Sequence, residues 1–361
     1  MGTRIFNKLV KMSLSETFPW LTTPIIVSAP MRVFSGPKLA ASVTQAGGLG
    51  FIGPNPKPET TLSDLREARA LLAGSPGPLG AFMDTSPTLP VGIGFQCWDG
   101  DLAFATDAVA EHKPCAVWLF APRNGQPELD EWTRAIRAAA PGVSVWTQVG
   151  TLTESLEAAH AAAPPDVLVI QGAEAGGHGR AHDGIGLMTL LPEVADALKT
   201  SGIPLFAAGG IADGRGVAAA LSLGASGAVI GTRFLASPEA RISKGYRDEV
   251  VRASDGGANT ARTMLYNRLR GTTGWPEDFS PRGIVNRSWR EYKAGVPFEE
   301  LRERYREAEK AGDAGWGPEG RLATYAGAGI GLVRSVEDAG VIVRKAQDET
   351  RDVLGRVSEG M

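Results

Sequence analysis

Three glycine clusters and one histidine hold most of the chemistry this 361-residue sequence can perform. The first cluster runs from Gln171 to Gly179 and contains Gly176, Gly177 and His178. The second runs from Ala207 through Gly209, Gly210 and Asp213 to Gly216, and the third is Gly231, Thr232, Arg233 and Phe234. Glycine lets a backbone approach a ligand closely with its N–H groups turned outward. A helix opening straight after such a loop adds partial positive charge. The second and third clusters therefore read together as a phosphate site, with Arg233 either adding charge or making an ion pair at the rim. A phosphorylated substrate, FMN and a nucleotide all satisfy such a site. Gln96, Gln148 and Gln171 each close an apolar run, and an amide presents both a donor and an acceptor, which suits the uracil-like edge of an isoalloxazine ring. No lysine or carboxylate pair closes such a run, so Schiff-base chemistry lacks its nucleophile.

Among the four histidines, His178 lies in a glycine-rich stretch with no apolar neighbours to bury it. A histidine so placed can act as a general base near neutral pH; the plainer reading is one that bonds its own loop backbone. His112 and His160 fall near helix ends, where a surface role is the default. His178 and His182 stand four apart with Asp183 beside the second, a spacing that suits metal ligands on a helix. Gly176, Gly177, Gly179 and Gly184 argue against a helix there, so no metal is expected.

The elements that must position these residues repeat one pattern over the first 250 residues: a short β-branched run, a Gly- or Pro-bearing loop, then an amphipathic Ala/Leu-rich stretch. The expected strands are Pro24–Ala29, Gly48–Ile52, Gly92–Cys97, Ala116–Phe120, Ser144–Gln148, Val167–Gln171, Ile203–Ala207 and Ala228–Gly231. Helices are expected after each, the eighth over Pro238–Ser254. Eight of each is the count of an α/β (β/α)8 TIM barrel. The glycine clusters then follow the sixth, seventh and eighth strands, whereas a doubly wound sheet places its phosphate loop after the first. Past Asp255 the rhythm stops. Asp255–Ala258, Arg270–Pro276 and Ser280–Asn286 read as loops, Val296–Lys310 as a charged helix, and Ser335–Val357 as a closing helix with Ser335 at its N-cap. The expected division is a barrel over 1–254 and a smaller, mainly helical cap over 255–361, its last helix packing back on the barrel.

Composition narrows the partners. Charged residues make up 21% and hydrophobic ones 43%, which suits a packed core rather than a disordered chain. A net charge of -3 offers no field for nucleic acid or an anionic membrane. Cys97 and Cys115 read as buried small hydrophobes rather than a disulfide scaffold. Residues 1–21 lack the apolar stretch of a signal peptide, Phe6 stands where a myristoylation signal needs Ser or Thr, and no run is long enough to span a bilayer. A cytoplasmic protein acting on a small molecule is expected.

The stretches Thr23–Met31 and Leu39–Gly50, the two glycine clusters Gln171–Gly179 and Pro204–Gly216, and Tyr325–Leu332 together resemble the nitronate monooxygenase family, formerly called 2-nitropropane dioxygenases. The resemblance implies an FMN-containing barrel with a substrate region over the flavin. It implies that Ala29, Pro30 and Met31 lie against the flavin ring, that Gln96, Gln148 and Gln171 approach ring or ribityl atoms, and that Gly176, Gly177, Gly209, Gly210, Gly231 and Thr232 hold the ribityl-phosphate end. His178 matches the family's catalytic histidine. The implied reaction oxidises an alkyl nitronate with O2 to a carbonyl compound and nitrite, one electron passing to flavin and then to O2. On a neutral nitroalkane His178 would first remove the α-proton. Arg32, Val33 and Phe34 stand where relatives often carry a glycine pair. The same frame also serves NAD(P)H:quinone reductases and enoyl-type FMN reductases, the alternative activity.

Overall fold

The computed structural model describes residues 14–360. The readings of the extreme N-terminus, Phe6 included, lie outside the described residues. Among the described residues there are eleven strands: β1 Ile25–Ser28, β2 Phe51–Ile52, β3 Leu89–Gln96, β4 Pro114–Phe120, β5 Ser144–Val149, β6 Val167–Gln171, β7 Gly177–Arg180, β8 Leu205–Ala208, β9 Gly227–Ile230, β10 Thr260–Arg262 and β11 Phe279–Ile284.

Eight of them form one parallel sheet in the order β1-β9-β8-β6-β5-β4-β3-β2. The sheet closes on itself where Leu49, just before β2, donates its N–H to Ile26 O at 2.9 Å and accepts from Ser28 N at 3.1 Å. Strands buried on both sides need apolar residues at every position, and β6 supplies them as Val167-Leu-Val-Ile170, all fully buried or nearly so. The barrel is filled by aromatic rings from four of its strands, of which β4 and β5 are adjacent. Phe51, Trp118, Trp146 and Phe206 pack together, with Trp146 and Phe206 ring centres 4.8 Å apart and Phe51 and Trp118 at 5.3 Å. This plug is the floor on which anything at the barrel mouth must rest.

At three of the helices between the barrel strands a side chain satisfies free N–H groups of the first turn. Asp101 accepts from Phe104 N, Thr151 from Glu154 N, and Asp213 from both Arg215 N and Gly216 N. The last of these caps opens the helix Gly214–Ser222, which follows the second glycine cluster. The C-terminal helix Ala339–Glu359 lies across the outside of that helix: Thr350 Oγ1 donates to Gly214 O, and a carboxylate oxygen of Glu349 accepts from Gly214 N at 2.7 Å.

The structure departs from expectation mainly at the barrel mouth. The stretch after β6 turns into β7, because β11 is there to pair with it: His178 stands opposite Pro281 and Gly179 opposite Ser280 in an antiparallel register. With β10 on the other side of β11, a three-stranded sheet lies over the barrel end. Residues 280–284, expected as loop, are therefore strand, and 256–259 is a helical turn. The eighth helix is shorter than expected, Lys244–Arg252, capped by Ser243. Asp338, not Ser335, precedes the closing helix, and Ser335 instead bonds Glu337. The helix Gly77–Thr85 was not expected; Gly77, Pro78 and Gly80 hid it. No helix among the described residues is long and apolar enough to cross a membrane.

Candidate functional site

A cavity of about 360 Å³ opens at the C-terminal ends of the barrel strands. All thirteen residues singled out by sequence line it: Ala29, Pro30, Met31, Gln96, Gln148, Gln171, Gly176, Gly177, His178, Gly209, Gly210, Gly231 and Thr232. They come from six segments far apart in sequence, and only barrel closure brings them together.

At one end are the glycine turns. Gly209 and Gly210 have φ of 108° and 72°, a conformation that glycine adopts without strain, and a Cβ on Gly209 would meet Gly172 O at 3.0 Å. Among the described residues, the N–H groups of Gly176, Gly209, Gly210 and Gly231 find no protein acceptor. The loop between β6 and β7 is held from behind. Arg262 donates to the carbonyls of Ala173, Ala175, Gly177 and Ser280, and Arg282 also donates to Ala173 O. Burial, and then the charge of Arg282, push Arg262 down to about 10. With its carbonyls drawn back to these guanidinium groups, the loop offers N–H groups to the cavity.

At the other end are the three amides, each with its orientation set by a neighbour that can act in only one sense. Trp118 Nε1 can only donate, so the Gln148 atom 3.1 Å away is its oxygen. Arg32 can only donate, which fixes Oε1 of Gln96 at 3.1 Å. Gln171 is reversed: its Nε2 donates to the carbonyl of His178 at 3.2 Å. Gln96 and Gln148 are thus left with NH2 donors and Gln171 with an acceptor oxygen. Two donors and an acceptor at one end, with unpaired N–H groups at the other, fit FMN, whose pyrimidine edge presents acceptors around one N–H and whose tail is a dianion.

His178 sits in surroundings its sequence neighbours did not announce. Its ring lies on Trp275, centres 3.5 Å apart and planes within 7°, and Nε2 is 2.8 Å from Nδ2 of Asn267. Asn267 Oδ1 accepts from the Tyr325 hydroxyl at 2.7 Å, and Tyr325 Oη accepts from Arg270 at 3.3 Å. Burial foremost, then the charges of Arg262, Arg32 and Arg270, lower His178 to about 3. The expectation of an unburied loop histidine titrating near neutrality is corrected accordingly: the ring is stacked, bonded and neutral. Arg32 and Arg270 line the cavity and no carboxylate does, so its wall is positive. Arg32 also reaches Asp99 at 3.5 Å. Val33 beside it holds a φ of 68°, an unusual conformation for a β-branched residue.

The other candidates fall elsewhere. Arg233 is buried, pairing with Glu337 and bonding Ser335 O, and does not line the cavity. His112 is buried rather than on the surface, and burial lowers its pKa. His160 is exposed and bonds Leu156 O. Cys97 and Cys115 are buried free thiols. Trp118 and Phe120 line the cavity, and Trp98, which does not, packs on Trp275 with ring centres 4.8 Å apart and planes tilted by 42°. Sequence reading missed Asn267, Arg270, Trp275 and Tyr325, all from the region after the barrel. Only the Tyr325–Leu332 motif carried a signal for any of them.

Comparison with known proteins places the chain in a family. The profile described as nitronate monooxygenase matches residues 110–310. The chain is 61% identical over 357 residues to nitronate monooxygenase npaC of Metarhizium robertsii, covering 98% of this chain and 99% of that one. It is 36% identical to a nitronate monooxygenase of Neurospora crassa, covering 95% and 93%. Among solved structures, a nitroalkane oxidase from Streptomyces ansochromogenes superposes with a TM-score of 0.69 at 26% identity, over 95% of this chain and 99% of that one. FabK from Thermotoga maritima, at 24% identity and a TM-score of 0.73 over 96% and 98%, shares the fold.

Proposed function

This chain belongs to the nitronate monooxygenase family, and from that premise we propose that it is an FMN-dependent monooxygenase that converts alkyl nitronates and O2 to carbonyl compounds and nitrite. Two nitronates and one O2 balance two carbonyl compounds and two nitrites. The observation that carries the cofactor assignment is the donor set of the cavity: amides of fixed orientation at one end, unpaired backbone N–H groups at the other.

In this reading Gly176, Gly177, Gly209, Gly210, Gly231 and Thr232 hold the phosphate end of FMN. Ala29, Pro30 and Met31 lie along the ring, and Gln96, Gln148 and Gln171 meet its polar edge. Bound FMN supplies one-electron redox chemistry that no amino-acid side chain here offers. The residues of the chain do the rest. Arg32 and Arg270 attract and hold an anion in a wall without carboxylates. Phe120 and Trp275 offer apolar surface to the alkyl part and keep water away. His178 is the catalytic residue and meets the nitro group. The barrel over 1–254 is the FMN-binding unit and 255–361 the substrate-side unit.

The test is anaerobic. The purified yellow protein is mixed with propyl-2-nitronate, NADH or NADPH, and the flavin band is followed. Bleaching by the nitronate is expected. Bleaching by a nicotinamide alone would replace this reading with a quinone or enoyl reductase on the same frame, and a colourless protein that takes up no FMN would end it.

A further inference from the structure

Four residues form a chain of hydrogen bonds whose direction is fixed from its far end. The Arg270 guanidinium has no acceptor, so at 3.3 Å it donates to Tyr325 Oη. Its charge also lies 5.6 Å over the Tyr325 ring. The single hydroxyl proton of Tyr325 is then free for Asn267 Oδ1 at 2.7 Å. That contact orients the amide, so Nδ2 faces the imidazole, 2.8 Å from His178 Nε2. An amide nitrogen has no lone pair to offer, so Nε2 is the acceptor and the ring proton sits on Nδ1. Asn267 is fully buried and the imidazole is clamped against Trp275, so neither partner turns freely. Among the described residues no protein group bonds Nδ1, which leaves that N–H for whatever enters the cavity.

This has a chemical consequence. A general base needs a lone pair aimed at the proton it takes, and this ring has one lone pair, already held by Asn267. What remains is a donor. A nitronate carries its negative charge on two nitro oxygens, each an acceptor for an N–H, and its α-proton is already gone. The conjugate nitroalkane still carries that proton and finds no free lone pair here.

Resting on the reading of the cavity as a flavin and nitronate site, we infer that His178 serves as a fixed Nδ1–H donor to the nitronate. Asn267, Tyr325 and Arg270 are the positioning residues that fix its tautomer, and through it the preference for nitronate anions over neutral nitroalkanes. Asn267 and Tyr325 need not touch the reacting atoms, and Arg270 fixes the relay in addition to holding the anion. Their role is to keep a neutral imidazole pointing one way.

The experiment reads the tautomer directly and apart from turnover. In the full-length FMN-loaded protein labelled with 15N-histidine, long-range 1H–15N correlations near neutral pH report which ring nitrogen is protonated, and loss of signals in His178→Asn assigns them. Protonation at Nδ1 is expected; protonation at Nε2, or fast averaging of the two, overturns the relay. Asn267→Asp replaces the donor by a group that only accepts, so the proton should move to Nε2 and free a lone pair at Nδ1. The ratio of kcat/KM for nitroethane to that for ethyl nitronate should then rise by about tenfold or more, the scale of one charged hydrogen bond. A moved proton with an unchanged ratio overturns the donor role. Should the aspartate variant fail to fold, Tyr325→Phe frees the amide to turn, and mixed tautomers are expected; a spectrum like that of the parent overturns the relay. If the spectra come out as expected but nitronate never bleaches the flavin, the relay stands and the nitronate reading falls.

Discussion

At the scale of single residues, His178 shows how surroundings replace the properties that a side chain brings with it. A free imidazole titrates near 6.5. Here burial, with Arg262, Arg32 and Arg270 nearby, holds it neutral down to about 3. The sign of the effect on stability follows from proton counting. Between these two values the unfolded chain binds a proton that the folded chain does not, so acidification below about 6.5 favours unfolding, and the loss continues until about pH 3. Thermal melts of the parent and of His178→Asn from pH 7.5 to 4.5 check this. The parent should lose stability more steeply, by up to about 1.4 kcal/mol per pH unit, the limit for one proton. Parallel slopes would mean that the ring is open to water and titrates as usual. The absolute stabilities of the two proteins do not enter the comparison, so the lost stacking on Trp275 does not confuse it.

At the scale of elements, the second glycine turn and the helix it opens form the part of the cavity most open to test. Gly210 has a φ of 72°, and a Cβ there would lie 3.2 Å from that of Glu174. Gly210→Ala therefore suffers the strain of a left-handed conformation and a tight contact, while Gly210→Asp suffers both and adds a negative charge where the phosphate is proposed to sit. The aspartate variant should retain FMN at least about tenfold less well than the alanine variant, read as flavin released through a desalting column or as the Kd of FMN by fluorescence quenching. Equal retention would remove the phosphate from this turn. That turn was legible in the sequence because its signal is local: two glycines, a capping Asp213 and a helix follow one another along the chain. The barrel strands were legible for a similar reason, since strands buried on both faces leave unbroken apolar runs such as Val167–Ile170. The strand β7 was not. Gly177-His-Gly-Arg180 has neither alternation nor an apolar run, and it is extended only because β11, some hundred residues on, supplies its hydrogen bonds. Asn267 and Trp275 were hidden in the same way. Their importance comes from the position of His178 in space, and nothing near them in sequence refers to it. Tyr325 was marked only as the first residue of the Tyr325–Leu332 motif.

At the scale of the whole molecule, the C-terminal helix ties the segment just ahead of β1 to the helix that follows the glycine turn. The helix Ala339–Glu359 runs back over the outer helices, and Gln347 donates to the carbonyls of Thr22 and Pro24 just ahead of β1. Two residues on, Glu349 accepts the N–H of Gly214, so the last helix supplements the cap of the helix that follows the glycine turn. The contact is close because position 214 has no side chain: a Cβ there would stand 2.5 Å from Thr350 N and 2.7 Å from Ala346 O. Both are backbone atoms of a helix, which cannot turn aside as a side chain would. Gly214→Ala should therefore push the closing helix outward, weaken the bonds from Glu349 and Thr350 together, and cost about 1–3 kcal/mol, the range for overpacking a close contact. A lower Tm and faster proteolytic release of the C-terminal segment are the expected readings. FMN retention should fall with them, because the helix that starts at Gly214 positions the glycine turn. If the variant melts lower yet retains flavin as the parent does, the glycine turn is rigid by itself and the closing helix serves stability alone. If neither changes, the helix is not seated against Gly214.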